Sequence, residues 1–410
     1  MKFPLCVALA AALAAPIAMA EPLSFDAAVK QALATAPSLQ ARSAEVKSTQ
    51  SAARAAGRLP DPKLRVGFDN FPVSGPVAGS FTQESMTMGS IALMQEVPNG
   101  DKRRSARLKA AANTDVASAN QNIDARDVRL NTALAWVDLY FAEKKLAALD
   151  GSATVINTIR SSAASQLASG TLRPAQALEG EQLMAMVDDR RADLAADVAR
   201  ARAELVHWTG NETADVSGEP PDWIVNPGAL RANLDHNPQL AAAAAMTHSA
   251  DADVAVARAD KRPDWGWDVA YQHRDPRWGD MVSGGVTISL PLFSKSRQDP
   301  TIDSKSEAAT AARLQADAIR RQVVAQLDAD LADHDMHHDR MNRAELTLVP
   351  LAEKTFDLEE SSYAAGNASL TDVLKAQLNL AEADIDLLSR QADVVRDGIR
   401  INLTYGNVTQ

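Results

Sequence analysis

The stretch "WGWDVAYQH", residues 265–273, decides how the rest of the chain is read. Trp265, Trp267, Val269 and Tyr271 alternate with Gly266, Asp268, Ala270 and Gln272, the period of two that marks a strand with one apolar face. Only 4% of the chain is aromatic, so two Trp and a Tyr on one strand face need a physical reason. The neighbouring "VTISLPLF" (286–293) repeats the pattern, with Val286, Ile288 and Leu290 against Thr287 and Ser289. Far upstream, Leu64, Val66 and Phe68 alternate with Arg65, Gly67 and Asp69, and "SIALMQEVP" (90–98) reads as a fourth strand.

The first twenty residues place the chain. Met1 and Lys2 precede an apolar run from Leu5 to Ala15, and Ala18-Met19-Ala20 offers small residues at a cleavage site. Residues 1–20 are therefore expected to be a secretory signal peptide, with Glu21 the mature N-terminus. The run is too short for a spanning helix, which needs about 20 apolar residues. Cys6 is the only cysteine and leaves with the signal, so the mature chain forms no disulfide and no thiolate metal site. The net charge of -11 becomes -12 once Lys2 is removed. An acidic exported chain lacks the basic footprint that nucleic-acid binding requires. Ala carries much of the 46% hydrophobic content, which suits thin, Ala-packed helical layers.

The chain reads as one plan written twice. "APSLQ" (36–40) recurs as "NPQLA" (237–241), and each helical stretch ends in a Pro-Asp pair, Pro60-Asp61 or Pro263-Asp264, followed by a strand. Ile91 and Val286 in the second strands are 195 residues apart, and Gly170 and Gly366 in two later breaks are 196 apart. The halves are expected at 21–220 (strands ~62–71 and ~85–97, helices ~101–207) and 221–410 (strands ~264–273 and ~281–293, helices ~301–402). Between Asp101 and Asp150, and between Thr301 and Val349, there is neither Gly nor Pro. Each such run predicts a helix on the order of 70 Å long. Leu130, Leu134, Val137 and Phe141, and then Val324, Leu327, Leu331, His334, His338 and Met341, follow the 3-4 spacing of coiled-coil seams.

Each half thus holds two strands and a long helical hairpin. Four strands cannot close a barrel, since single-chain barrels begin at eight. An open sheet in lipid would leave backbone groups unpaired. The expected fold is an α+β membrane protein in which several chains each lend four strands to one closed barrel. Trp265, Trp267 and Tyr271 then face lipid near its interfaces, and Asp268 and Gln272 face a watery lumen.

The NP-L and Pro-Asp signals, "ISLPLF" and the hairpin "YAAGNASLTDVL" (363–374) resemble the TolC family of outer-membrane efflux proteins. The resemblance extends from "LSFDAAVKQAL" (23–33) to "INLTYG" (401–406). It implies a homotrimer with a twelve-stranded barrel in outer-membrane lipid, continued by a helical coiled-coil barrel through the periplasm. Substrate arrives from an inner-membrane pump through a periplasmic adaptor, or membrane fusion, protein. The chain is then a passive conduit, with no cofactor and no catalysis. "QEVPNGDKRRSAR" (95–107) looks like the heavy-metal branch, served by RND-type pumps, although Asp101 intrudes between Gly100 and Lys102. Small organic molecules and type I protein secretion are the alternative cargoes. The rival class is a soluble periplasmic coiled-coil scaffold or metal-binding protein.

In the same light, Gly170 and Gly366 resemble the periplasmic tip, where helices turn and meet the adaptor. Gly supplies the left-handed backbone such a turn needs. Three copies of Asp372 near one axis would form a carboxylate ring, whereas Ser369 with Asp372 three residues later also reads as a helix cap. The first half has Gln176 at that position. His334 and His338 lie at i, i+4, a spacing that can hold zinc or copper, but the same positions lie on the helical seam. Asp317, Asp328, Asp335 and Asp339 share one helix face, a solvated stripe that in a tunnel would line the lumen.

Overall fold

The structure, a computed structural model, describes residues 22–161, 174–212 and 215–406. The signal segment 1–20 and the first-half break at Gly170 lie outside the described residues. The elements in chain order are α1 Phe25–Thr35, α2 Pro37–Ala55, β1 Lys63–Asp69, β2 Met88–Val97, α3 Gly100–Ser161, α4 Pro174–Thr209, α5 Pro227–Ala232, α6 Pro238–Ala259, β3 Asp264–His273, β4 Met281–Ser289, α7 Gln298–Arg343, α8 Val349–Ala364 and α9 Leu370–Tyr405.

Local chemistry explains their limits. Pro37 and Pro238 open α2 and α6, where a missing N–H costs nothing. Asn237 caps α6 by accepting from the Gln239 N–H at 2.9 Å. β1 stops at Asp69, two residues short of the expected end, because Asn70 takes a left-handed φ of 58°. β4 stops at Ser289 rather than 293, because Leu290 precedes Pro291, which restricts its neighbour and donates no ladder bond. Between α7 and α8 the chain continues through a π turn at Ala344–Leu348. Pro350 sits in the first turn of α8, and widening the preceding turn accommodates its missing N–H.

The residues form two compact units, Met1–Thr35 with Asn131–Asp222 and His337–Arg396, and Ala36–Leu130 with Trp223–Met336 and Asp397–Gln410. The first unit is helical. Its core joins Leu149 and Ile156 of α3, Val187 and Leu194 of α4, and Leu370, Leu374 and Ile385 of α9. Trp136 is fully buried there, donating its indole N–H to the Leu23 carbonyl at 2.9 Å and meeting Phe25 edge-on. The second unit holds a helical core of Leu230, Leu234, Val323, Leu327, Leu331, Ile401 and Tyr405. It also contains a four-stranded antiparallel sheet of order β1-β2-β3-β4.

Candidate functional site

The sheet presents two chemically different faces. Val66 lies opposite Ile91, Ile91 opposite Tyr271, and Tyr271 opposite Val282. The next row joins Leu64, Leu93, Val269 and Gly284. Trp267 then faces Gln95 and Val286, and Trp265 faces Val97 and Ile288. These apolar side chains stand open in the chain: Val66 is 70% exposed, Ile91 52%, Val286 68% and Trp265 46%. A contiguous apolar surface of this kind marks a face that meets lipid or another protein.

The other face is small and polar. Arg65, Ala92, Ala270 and Ser283 form one row, and Gly67, Ser90, Gln272 and Met281 another. Gln272 donates to Ser283 Oγ at 2.7 Å, and Lys63 pairs with Glu96 at 2.6 Å. Asp268 lies opposite Gly285, where an added Cβ would stand 2.6 Å from the carboxylate oxygen. Only Gly leaves that carboxylate its room. At one end of the sheet the connecting loops are tied together, with Arg274 donating to the carbonyls of Trp278 and Ser85, and Arg277 to that of Thr82. Phe68, Phe71 and Phe81 cluster beside them.

The opposite end of the sheet joins helices through a polar knot that sequence reading missed. Asn99 caps α3 by accepting from the Lys102 N–H at 2.8 Å, while its own backbone N–H donates to Asp264 Oδ1 at 2.7 Å. Lys102 Nζ reaches Asp260 at 3.0 Å and Asp264 at 3.2 Å. Asp260 foremost raises the Lys102 pKa above its usual value. Asp101, the residue that intrudes in the motif, pairs with Arg262. The Asn-Gly after Pro98 was the available signal, an N-cap before a helix.

In the helical unit, Gly366 has φ +77° and closes α8. Asn367 N–H bonds to the Ser362 carbonyl at 2.8 Å and Gly366 N–H to that of Tyr363 at 3.0 Å, the paired bonds of a Schellman turn. Asp372 is three residues into the next cap. Its carboxylate accepts from the Ser369 backbone N–H at 3.1 Å and the Ser369 hydroxyl at 2.7 Å, and Ser369 Oγ accepts from the Asp372 N–H at 3.2 Å. This is a complete capping box. The Ser369 hydroxyl, then its N–H, holds Asp372 below the usual carboxylate pKa. The side chain of Gln176 lies outside the described residues.

On α7 the buried seam runs through Val323, Leu327 and Leu331, not through Val324, which is 40% exposed. His334 is half-buried and His338 exposed, and His338 Nδ1 lies 3.0 Å from the Asn342 amide nitrogen. Among the described residues, no group of three or more His, Cys, Asp or Glu is placed to hold a metal ion. Asp317, Asp328, Asp335 and Asp339 are all exposed on α7, and Asp328 pairs with Arg231 at 2.8 Å.

Residues 229–407 match the family described as outer membrane efflux protein. Over 381 residues the chain is 24% identical to the cobalt-zinc-cadmium resistance protein CzcC of Cupriavidus metallidurans, covering 91% of this chain and 87% of the relative. The nickel-cobalt-cadmium resistance protein NccC of Alcaligenes xylosoxydans xylosoxydans is 26% identical over 338 residues, covering 76% and 72%. The crystal structure of the outer membrane protein VceC from Vibrio cholerae shares the fold, with a TM-score of 0.79 at 19% identity over 94% of this chain and 97% of that one. That family match falls within the second half of the chain, and the likeness to the solved outer membrane channels is one of fold. Among the described residues, no helix is long and apolar enough to cross a membrane.

Proposed function

We propose that this protein is an outer-membrane efflux channel, a homotrimeric, passive conduit without catalytic chemistry, whose cargo is heavy-metal cations. One observation carries the reading: a four-stranded sheet with an open apolar face, a polar reverse face and two unpaired edges. Three copies supply twelve strands, and closing them removes every edge. Trp265, Trp267 and Tyr271 then meet lipid, with Asp268 and Gln272 toward the lumen. The metal cargo is supported by the likeness to CzcC and NccC, whose names state resistance to cobalt, zinc, nickel and cadmium. The cations come from an RND-type inner-membrane pump through a periplasmic adaptor. The turn at Gly366 meets that adaptor, and three Asp372 carboxylates gather at the gate. Asp317, Asp335 and Asp339 supply acidic charge to the passage, while Asp328 of the same stripe is paired with Arg231.

Fractionation and conductance test the conduit. The protein is expected in the outer membrane as a heat-sensitive trimer that opens pores in planar bilayers, and recovery as a soluble monomer refutes it. Deleting the chain should raise cellular cobalt, zinc or cadmium and lower resistance. Unchanged metal content with a working pore would reject the cargo and keep the channel.

A further inference from the structure

The end of the sheet that joins the helices is strongly basic in an acidic chain. Segments 54–63, 96–107, 258–264 and 289–299, which enter and leave the four strands there, carry twelve Lys and Arg against six Asp and Glu. The loop segments at the other end, 70–87 and 274–280, carry two against three. Ion pairs within the fold do not absorb this excess. Lys63 pairs with Glu96, Lys102 with Asp260 and Asp264, Lys261 with Asp299, and Arg262 with Asp101. Those four cations occupy five of the six acids, so eight of the twelve cations remain against Asp61. Arg104, Arg258, Lys295 and Arg297 are among the eight, and all four are exposed.

Charge and apolar surface meet at one place. A cavity of about 440 Å³ opens there among Lys102, Arg262, Arg297, Gln298, Leu290 and Pro291. Lys102 and Arg262 are held by carboxylates, and Arg297 is not. Gln298 Oε1 is buried and accepts no hydrogen bond. Leu290 at the rim continues the exposed apolar row of Val286 and Ile288 on β4, and Leu292 and Phe293 beyond it are 75% and 74% exposed.

We infer that this junction binds an anionic phospholipid, with its phosphate on Arg297, a headgroup hydroxyl on Gln298 Oε1 and its acyl chains along the apolar row of β4. The inference rests on the proposed membrane location and goes further, because a sheet in lipid needs no preference among headgroups. Depth agrees with it. Trp265 lies opposite Ile288, and Trp marks the level at which acyl chains give way to headgroups. Arg262 and Arg297 follow in the chain beyond that level, where a phosphate stands. Charge selects the lipid class. A zwitterionic headgroup such as phosphatidylcholine carries a quaternary ammonium, which uncompensated cations repel. Phosphatidylglycerol carries net negative charge and hydroxyls that can donate to Gln298. Each Lys or Arg beside an anionic lipid is worth about fivefold in affinity, and salt screens the effect. The contiguous apolar row favours a lipid over a free anion, which would leave that row uncovered.

Brominated lipids read the preference directly. The protein is reconstituted into vesicles of equal phosphatidylglycerol and phosphatidylcholine, with bromine on the acyl chains of one or the other. Quenching of Trp265 and Trp267 is taken as the difference from a Trp265→Phe, Trp267→Phe variant. Brominated phosphatidylglycerol should quench more, by a local preference of about tenfold or greater at low salt that falls as salt is added. Arg297→Gln should lower the preference about fivefold, and Arg297→Lys should keep it. Lys295→Gln tests the same charge should Arg297→Gln fail to fold. Arg313→Gln, about 22 Å along α7 from Gln298, should leave the preference unchanged. Equal quenching by the two lipids overturns the site and leaves the sheet in the membrane. An equal loss in Arg313→Gln and Arg297→Gln overturns its placement at the junction. If inorganic phosphate abolishes the preference where chloride of the same ionic strength does not, the site takes a free anion and the lipid assignment falls. No quenching by either lipid in intact trimers overturns the membrane location itself.

Discussion

An arginine placed at successive depths along β3 tests whether the apolar face of the sheet lies in lipid. Trp265, Trp267 and Val269 share that face, and the midpoint of Asp264–His273 falls between Asp268 and Val269. With a rise of about 3.3 Å per residue and a tilt of about 45°, each step of two residues changes depth by about 5 Å. Val269 then sits near the middle of an apolar band about 25 Å tall, and Trp265 about 9 Å from it, close to the interface. Arginine on the lipid face costs about 2–4 kcal/mol at the midplane and about 0–1 near the interfaces. Val269→Arg should therefore lower the folded population per copy by about 30- to 700-fold at about 1.4 kcal/mol per decade, and three copies compound the loss. Trp267→Arg should fall between, and Trp265→Arg should be mild. Asp268→Asn, on the polar face, should leave assembly nearly unchanged, whereas Trp267→Asp should not. The assay is the yield and denaturant midpoint of heat-sensitive trimers inserted into lipid bilayers. A flat profile across the three depths, or Asp268→Asn as damaging as Trp267→Asp, refutes a lipid location for this face.

Three further outcomes concern the helical unit. Leu374 is 1% exposed in the core, so Leu374→Ala should destabilise by about 2–5 kcal/mol, read as a lower thermal midpoint; an unchanged midpoint contradicts that packing. Gly366→Ala must hold φ +77° against about 1–2 kcal/mol of left-handed strain, so amides around 363–369 should exchange about 5- to 30-fold faster, with trimers retained. Asp372→Asn should weaken the cap by up to about 1 kcal/mol, seen as faster exchange in the first turn of α9. The Asp372 pKa is lowered in the fold by Ser369, so this stabilisation is present above the unfolded carboxylate pKa of about 3.9. It is lost as pH falls through the lower folded value, and the difference from the native chain should shrink below about pH 4. If the difference persists there, charge is not what the box contributes. If cation selectivity in planar bilayers is unchanged by the same substitution, Asp372 acts only as a cap.

The strand face was legible because a half-buried strand needs only one boundary, and alternation with period two records it directly. Trp265, Trp267 and Tyr271 stand out further because aromatic residues are scarce elsewhere. The helical seams recorded less. In the middle of α3, Thr132, Ala133, Ala135, Trp136, Val137 and Leu139 are all buried, so the helix is enclosed on every side and its 3.6-residue periodicity carries little contrast. On α7, adjacent Val323 and Val324 are equally apolar, and which of them turns inward depends on where the neighbouring helix lies. Within one copy the structure buries Val323 and leaves Val324 40% exposed.

The least legible features were those made by residues distant in sequence. The knot of Asn99, Lys102, Asp260 and Asp264 joins positions about 160 apart, and no local period marks such a contact. The sequence shows only the Pro263-Asp264 pair at the start of β3 and an Asn before α3. Asp101, which looked like a departure from a motif, gains a reason once Arg262 is found beside it. The acidic stripe fails in the converse way. Four aspartates on one face of α7 suggest a single role, yet Asp328 is neutralised by Arg231 on α5. Ion pairs between exposed groups are worth little in stability, but they change the charge a passing cation meets. The cation-attracting capacity of α7 therefore rests more on Asp317, Asp335 and Asp339 than on Asp328, and substituting Arg231 would return Asp328 to the set.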